Sequence, residues 1–489
     1  MPNAPFRKYQ TSGFAFEAYS SALYSLERSA DSLNLSSTKP EFNRIRMKDK
    51  AKAYDVEYRR RKGRRSMRNI YIGDRGTLVQ YLQMALNRAG IAVTIDGEFG
   101  RETCEGLRTF LGESAGCYVD NAIWRRLEPY LKGYVTYSIV QGDTLYSIAQ
   151  VYGSSVERIL TANPFIGDVS NLKVGMKIKI PLGGKLVSEE VNYSSIINDF
   201  IIEGLVARYP FLVTGSIGQS VMGKEIPYVQ IGAGEKQVFY NASFHANEWI
   251  TTPVLLKFIE EYASAYANDK SLYGENSRRL FEEYSLFIVP MVNPDGVDLV
   301  TGVLRNSSYE TNARIIASFY PDIPYPDGWK ANIEGVDLNL QFPAGWREAQ
   351  RIKAEQGFTT PAPRDYVGPG PLTAPESINV YEFTLQHDFR LILAYHSQGE
   401  VIYWKYQDYE PENSRRIAEY FGWVSGYTVE ETPYASGNAG YKDWFIQDYN
   451  RPGYTIEVGM GQNPLPMEQF SQIYEDNRYI LLGGMTQIE

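Results

Sequence analysis

The sequence predicts a multidomain chain in which a small three-helix domain and a β-α-α-β module precede a large α/β domain built on a mixed sheet. Three observations lead there. Apolar residues recur at helical spacing between 73 and 131, and strand, helix, helix and strand signals then follow one another between 135 and 181. Beyond 190, short apolar runs alternate with helical or loop segments for about 300 residues, the pattern of a largely buried sheet layered with helices.

At 489 residues the chain exceeds one ordinary core. Its 43% hydrophobic and 22% charged residues are those of a globular protein, and its formal net charge of -9 gives it no general attraction for nucleic acid or anionic lipid. No stretch approaches the roughly 20 apolar residues of a membrane span. The first residues, MPNAPFRKYQTSGFAFEAYSS, lack the apolar core of a secretory signal, so export by the usual route is unsupported; the chain is expected to act as a monomer.

Residues 1–66 are polar and patternless and are expected to be a disordered basic extension. They end in a run in which seven of the eleven residues 58–68 are Arg or Lys, and such blocks repel themselves and stay solvated. Met67 stands directly before the first patterned segment and is a second place where the native chain could begin. The two cysteines, Cys104 and Cys117, are too few for a disulfide framework or thiolate metal cluster, and two buried thiols are expected.

In GDRGTLVQYLQMALNRAG, Leu78, Leu82, Ala85, Leu86 and Ala89 share one helical face, and Gly90 ends it. TIDGEFGRET turns the chain into a second helix with Leu107 and Phe110, and Ile123, Trp124 and Leu127 mark a third. At these residues, over about 70–131 of a domain bounded at 67–133, the segment resembles the peptidoglycan-binding domain found beside wall hydrolases, whose pattern joins a first helix to D-G-x-F-G-x-x-T; the resemblance implies a bacterial protein, cytoplasmic or cell-wall-associated.

Residues 134–183 follow another plan. Val135 to Val140 alternate as a strand, Gly142-Asp143 turns, and Thr144 caps a helix carrying Leu145, Ile148 and Ala149. A second helix from Val156 to Ala162 ends at Asn163-Pro164, and KVGMKIKIP closes as a strand. This stretch resembles a LysM domain. The resemblance implies a shallow groove for N-acetylated glucosamine chains, with contacts near Gly142, Asp143 and Thr144 on one loop and Asn163, Pro164 and Ile166 on the other. For Gly142 and Asn163 a pure turn role is the competing expectation. The Gly183-Gly184-Lys185 stretch reads as a hinge into the third domain, 190–489.

Chemistry concentrates in that third domain. The chain holds only three histidines, and two of them, His245 and His396, follow strand-like apolar runs, where loops of α/β domains gather polar groups. His245 precedes Glu248 by three residues. Two imidazoles and one carboxylate are ligands that zinc accepts while keeping a fourth position open. His387, among charged neighbours, reads as a surface residue.

FHANEWI, VNPDGVDL, GVDLNLQFPAGW, YHSQGEVIYW, SGNAGYKDWF and YTIEVG occur in the order found in the zinc carboxypeptidase family, which the domain resembles from about 190 to 485. The resemblance implies zinc held by His245, Glu248 and His396, with Glu457 as general base. A glutamate on an apolar strand is costly to bury without a partner, so Glu457 needs a task on physical grounds too. Lys330, soon after Trp329, takes the place of the cation that stabilises the oxyanion. Tyr434 is the hydroxyl expected to close over substrate, with Tyr441 the alternative, and Asn339 is expected to bind substrate.

Members that trim C-terminal residues carry Asn-Arg where this chain has Asn339-Leu340. Leucine cannot clamp a terminal carboxylate, nor does it penalise a substrate lacking one. The chain therefore resembles the branch, often joined to LysM modules, that hydrolyses the γ-D-glutamyl to diamino acid bond of peptidoglycan stem peptides. Arg305, Arg314 and Arg451 are candidates to replace the clamp. The alternatives are a metallocarboxypeptidase trimming peptide C-termini and a non-catalytic wall-binding protein with a remnant peptidase domain.

Overall fold

The computed structural model describes residues 67–167, 172–305 and 307–488, so the basic extension expected over 1–66 lies outside the described residues. Three helices, α1 (Thr77–Arg88), α2 (Arg101–Leu111) and α3 (Asn121–Lys132), close over Leu78, Leu82, Leu86, Leu107, Trp124 and Leu127, all at most 3% exposed. Asp120 caps α3 by accepting from the backbone N–H groups of Ala122 and Ile123. Cys104 and Cys117 are joined in a disulfide, their Cα atoms 5.2 Å apart, which corrects the expectation of two thiols.

The next module pairs β1 (Tyr134–Ser138) antiparallel with β2 (Lys177–Pro181), and between them run α4 (Leu145–Val151) and α5 (Val156–Ala162). Thr144 and Ser147 form a capping box at the start of α4. Leu145, Ile148, Ile159, Ile178 and Ile180 make its core.

After α6 (Ser195–Arg208) comes an eight-stranded sheet of β3 (Val213–Gln219), β4 (Glu225–Ile231), β5 (Lys236–Ala242), β6 (Tyr284–Val289), β7 (Phe389–Ser397), β8 (Val401–Tyr403), β9 (Thr428–Glu430) and β10 (Gly453–Val458). Their spatial order is β9-β8-β10-β7-β5-β6-β4-β3. The four central strands, β10, β7, β5 and β6, are mutually parallel, while β3, β4 and the β8/β10 pairing are antiparallel. Four of the five apolar runs read as strands, at 238–242, 286–292, 391–395 and 454–458, fall on these central strands, buried on both faces, and the fifth, at 226–232, falls on the antiparallel β4. α7 (Thr251–Ala267) packs against β5 and β7.

The three modules are fastened together. Thr77 donates to the Thr301 carbonyl at 2.7 Å, and the Tyr81 hydroxyl bonds Ser194 and the Asn192 carbonyl, each at 2.8 Å. Glu260 of α7 accepts the backbone N–H groups of Leu186 and Val187 at 2.7 and 3.0 Å, and Arg88 donates to the Leu186 carbonyl at 2.6 Å. Arg208 donates to the carbonyls of Leu182 and Gly184. The stretch read as a hinge from its glycines is therefore anchored, because buried charges from two other modules hold the backbone that follows them.

Candidate metal centre and active site

The centre is assembled at the carboxyl ends of the parallel strands, where α/β sheets place their ligands. β5 stops at Ala242, Ser243 turns the chain with φ +52°, and Ala246–Glu248 form one turn of 3₁₀ helix before α7 begins. In such a turn residues i and i+3 share a side. That brings His245 Nδ1 to 2.9 Å from Glu248 Oε1. Thr251 holds the turn by donating to the Glu248 carbonyl at 2.7 Å.

The VNPDG motif braces the same loop. Asn293 Nδ2 donates to the carbonyls of Phe244 and Ala331. Gly296 lies so close that a Cβ there would stand 2.7 Å from the Ala331 carbonyl oxygen and 2.8 Å from Ala246. Ala246 in turn donates to the Lys330 carbonyl at 2.9 Å, so the histidine turn and Lys330 are positioned by one network.

His396 is the penultimate residue of β7, and the parallel register pairs it with Glu457 of β10. Paired residues on adjacent strands point to the same face of a sheet, so metal ligand and carboxyl group are neighbours by construction. His396 Nδ1 lies 3.2 Å from His245 Nδ1 and 2.9 Å from Glu248 Oε2. One donor atom from each of His245, Glu248 and His396 lies within 4.8 Å of the other two. Donors about 2.0 Å from a tetrahedral zinc ion stand roughly 3.3 Å apart, so this crowding of two imidazole nitrogens on one carboxylate fits zinc. His245 Nε2 meets Asp337 Oδ1 at 3.2 Å, the outer carboxylate that fixes a ligating imidazole.

A cavity of about 420 Å³ opens beside the cluster, lined among others by Asn247, Asp322, Lys330, Arg364, Gln398, Tyr403, Glu457 and Asn463. Lys330 Nζ donates to Glu248 Oε1 at 2.9 Å. Burial is the strongest influence and opposes its charge, but the Glu248 and Glu457 carboxylates, with the Glu248 hydrogen bond, together outweigh it and raise the ammonium above its usual range. The Glu457 carboxyl makes no hydrogen bond among the described residues, and burial, reinforced by Glu248, pushes it up to about 8. Burial also pulls His245 down, yet the Glu248 and Asp337 carboxylates raise it to about 9. A larger cavity, about 700 Å³, lies at the junction of the LysM-like module and α7, and it contains no histidine or cysteine.

Other sites read from the sequence fall elsewhere. Tyr441 is fully buried in an aromatic core beside Phe244, Phe342 and Trp444, its hydroxyl 2.9 Å from Thr384 Oγ1, so it packs rather than facing the cavity. Tyr434 is 67% exposed on a loop, its hydroxyl bonded to Glu348 and Arg351, and does not line the cavity. Asn339 accepts the Tyr441 backbone N–H at 3.0 Å, bracing the loop before that helix. Arg314 pairs with Glu310, Arg451 pairs with Asp388, and neither these nor Arg305 line the cavity. His387 is half-buried, stacked on Phe389 with Nδ1 bonded to the Phe383 carbonyl, not a free surface residue.

In the β1/β2 module, Asn163 is 1% exposed, and its amide bonds the Ile159 carbonyl and both backbone groups of Lys179. It staples α5 to β2 and offers no face to a glycan. Asp143 accepts from Tyr137 and from the Val140 backbone, Thr144 caps α4, and Gly142 turns with φ +90°. Pro164 is exposed, whereas Ile166 packs on the module's core. Phe165 between them, 61% exposed, was not singled out by the sequence pattern.

The fold and this donor set define a zinc peptidase. A zinc carboxypeptidase signature matches residues 199–480 and a LysM signature matches 137–181, so the chain belongs to the zinc carboxypeptidase family and carries a LysM domain. It is 45% identical over 304 residues to gamma-D-glutamyl-L-diamino acid endopeptidase 1 of Lysinibacillus sphaericus, covering 62% of this chain and 74% of that protein. It is 40% identical over 307 residues to the uncharacterized protein YqgT of Bacillus subtilis (strain 168), covering 62% of this chain and 80% of the relative. Rat carboxypeptidase B matches at 24% identity over 298 residues, 56% of this chain and 66% of its own length. No helix among the described residues is long and apolar enough to cross a membrane.

Proposed function

We propose that this enzyme hydrolyses the amide between γ-D-glutamate and the diamino acid of peptidoglycan stem peptides, guided to the wall by its LysM and three-helix modules. One observation carries the choice of substrate. Leu340, where members that trim C-termini hold a carboxylate-clamping arginine, is 7% exposed and packs with Trp346, Ala349, Val367 and Ala439. An apolar cluster cannot receive a terminal carboxylate. The 45% identical endopeptidase of Lysinibacillus sphaericus supports the same reading.

His245, Glu248 and His396 would hold the zinc, which when bound would supply a Lewis acid able to polarise the scissile carbonyl and to lower the pKa of water from about 15.7 towards 7. Glu457, free of hydrogen bonds at the cavity wall, takes the proton of the attacking water and hands it to the departing amine. Lys330 stands ready to balance the charge that develops on the carbonyl oxygen. Asp337 keeps the His245 ring in one orientation and one tautomer. The LysM loop at Gly142 to Thr144, together with exposed Phe165, is the surface offered to the glycan strand, and the three-helix module adds a second wall contact.

The test is digestion of purified muropeptides by the zinc-loaded chain, followed by mass spectrometry. The expected product pair is a disaccharide carrying L-alanyl-D-glutamate and a released peptide beginning with the diamino acid, with both lost on chelation. Stepwise loss of single residues from the C-terminus would overturn the reading.

A further inference from the structure

Arg364 is the cavity cation that the reaction scheme leaves without a task. Its Nε donates to Asp365 Oδ2 at 2.6 Å, the Asp365 N–H donates to Asp337 Oδ2 at 3.1 Å, and Asp337 Oδ1 meets His245 Nε2 at 3.2 Å. The guanidinium thus hangs from the same chain of bonds that orients a metal ligand. Lys353, bonded to Asp365 Oδ1 at 2.6 Å, steadies the link from behind. The two terminal nitrogens of Arg364 hydrogen-bond nothing among the described residues, and the side chain is 41% exposed in the cavity. An arginine held by Nε with its outer fork free is built to receive a carboxylate.

Its neighbours decide which carboxylate. Arg364 lines one cavity with Lys330 and Glu457. Its chain of bonds through Asp365 and Asp337 ends on His245, which shares Glu248 Oε1 with Lys330, whereas Glu457 is paired with His396 on the neighbouring strand. Arg364 is therefore tied to the Lys330 side of the centre, the side that receives the carbonyl oxygen, while Glu457 serves the departing amine. An anion bound there belongs to the acyl half of the substrate. In a γ-linked glutamyl residue the scissile carbonyl is that of the side chain, and the free α-carboxylate lies three carbons away on a flexible arm. An ordinary α-linked residue has no carboxylate in that place.

Resting on the function proposed above, we infer that Arg364 binds the α-carboxylate of the D-glutamyl residue and makes the γ-linkage itself the feature the enzyme selects. Arg364 is then a specificity residue that touches substrate without joining the chemistry. The sequence candidates for a substrate-binding arginine missed it because it acts from a different loop and on the opposite half of the bond.

Three soluble peptides of the form L-Ala-γ-D-Glu-diamino acid separate the possibilities: one with both carboxylates free, one with the glutamyl α-carboxylate replaced by carboxamide, and one with the carboxyl group of the diamino acid replaced instead. For the zinc-loaded Arg364→Met variant, kcat/KM should fall roughly 10- to 100-fold on the first and third peptides and less than about threefold on the second. Arg364→Lys should recover part of the loss. Calorimetric binding in the Glu457→Gln background, with zinc content measured for each protein, should show the same pattern in Kd and needs no turnover. An equal loss on all three peptides would make Arg364 structural, and a loss that follows the diamino acid carboxyl would move its ligand to the amine half. Either result overturns the inference. Failure of the parent enzyme to cut any of the three would instead strike the proposed function, while the binding measurement would still judge Arg364.

Discussion

The metal centre and the module junction both bury carboxylates among cations, and they do so to opposite ends. At the junction, Glu260 spends both oxygens on backbone N–H groups and faces Arg208, and Arg88 donates to three carbonyls. Among the fully buried polar atoms of these three side chains, only Arg208 Nε lacks a partner. At the centre, two ring nitrogens and a carboxylate crowd one point, His396 Nε2 is buried without a partner, and Glu457 bonds nothing. Saturated charges fix a shape; unsaturated ones are kept for something that arrives later. The larger cavity at the junction is the less reactive one for that reason.

Removing the unsaturated carboxyl should break the chemistry and leave the architecture alone. Glu457→Gln should retain one zinc per chain and its thermal midpoint while kcat on a soluble γ-D-glutamyl peptide falls by about 10²- to 10⁴-fold. Metal analysis beside the kinetic assay checks both halves. Turnover within tenfold of the parent would place the base elsewhere and erase the contrast between the two regions.

The junction should respond in the reverse sense. Glu260→Ala leaves two backbone donors and the Arg208 guanidinium without their anion, a loss of about 3–5 kcal/mol. Denaturant unfolding should show that loss, while kcat on the soluble peptide, read well below the new midpoint, stays near the parent value. A variant of unchanged stability would mean that the modules are joined by packing alone and that the ion pair contributes little.

How far the sequence carried each region follows the range of its interactions. His245, Glu248, His396 and Glu457 could be read because each sits at the end of an apolar run and the strand register does the rest. The β3, β8 and β9 strands were less visible, since an antiparallel edge such as β3, or a strand of three residues such as β8 or β9, lacks the continuous apolar run of a buried parallel strand. Arg364 and Tyr403 line the cavity through folding alone, one from an irregular loop and one from a three-residue strand. Asp337 lay inside a quoted motif, but its partner His245 is 92 residues away. The supposed hinge failed for the same reason: glycine reports local freedom, whereas Glu260, 74 residues on, removes it. Among 38 tyrosines, position near a motif could not separate exposed Tyr434 from buried Tyr441.

A third buried carboxylate tests the comparison most finely because it belongs to neither region. Glu376 is fully buried and accepts from the Val221 N–H at 3.0 Å and Asn332 Nδ2 at 3.2 Å, with no ion pair among the described residues. Burial pushes it up to about 7 from its ordinary 4.5. Below the lower value both folded and unfolded chains hold the proton, so nothing is lost. Between the two values the unfolded chain has ionised while the folded one has not, and stability falls as pH rises until the folded pKa is passed. The full loss is about 3 kcal/mol. Glu376→Gln cannot titrate, so whatever constant cost its amide carries, its stability relative to the parent should improve from pH 5 to pH 8, chiefly below 7. Zinc-saturated unfolding curves for both proteins at each pH cancel the contribution of the metal ligands. A pH-independent difference would show that Glu376 ionises in place, and that two N–H donors suffice to hold a buried carboxylate without a cation.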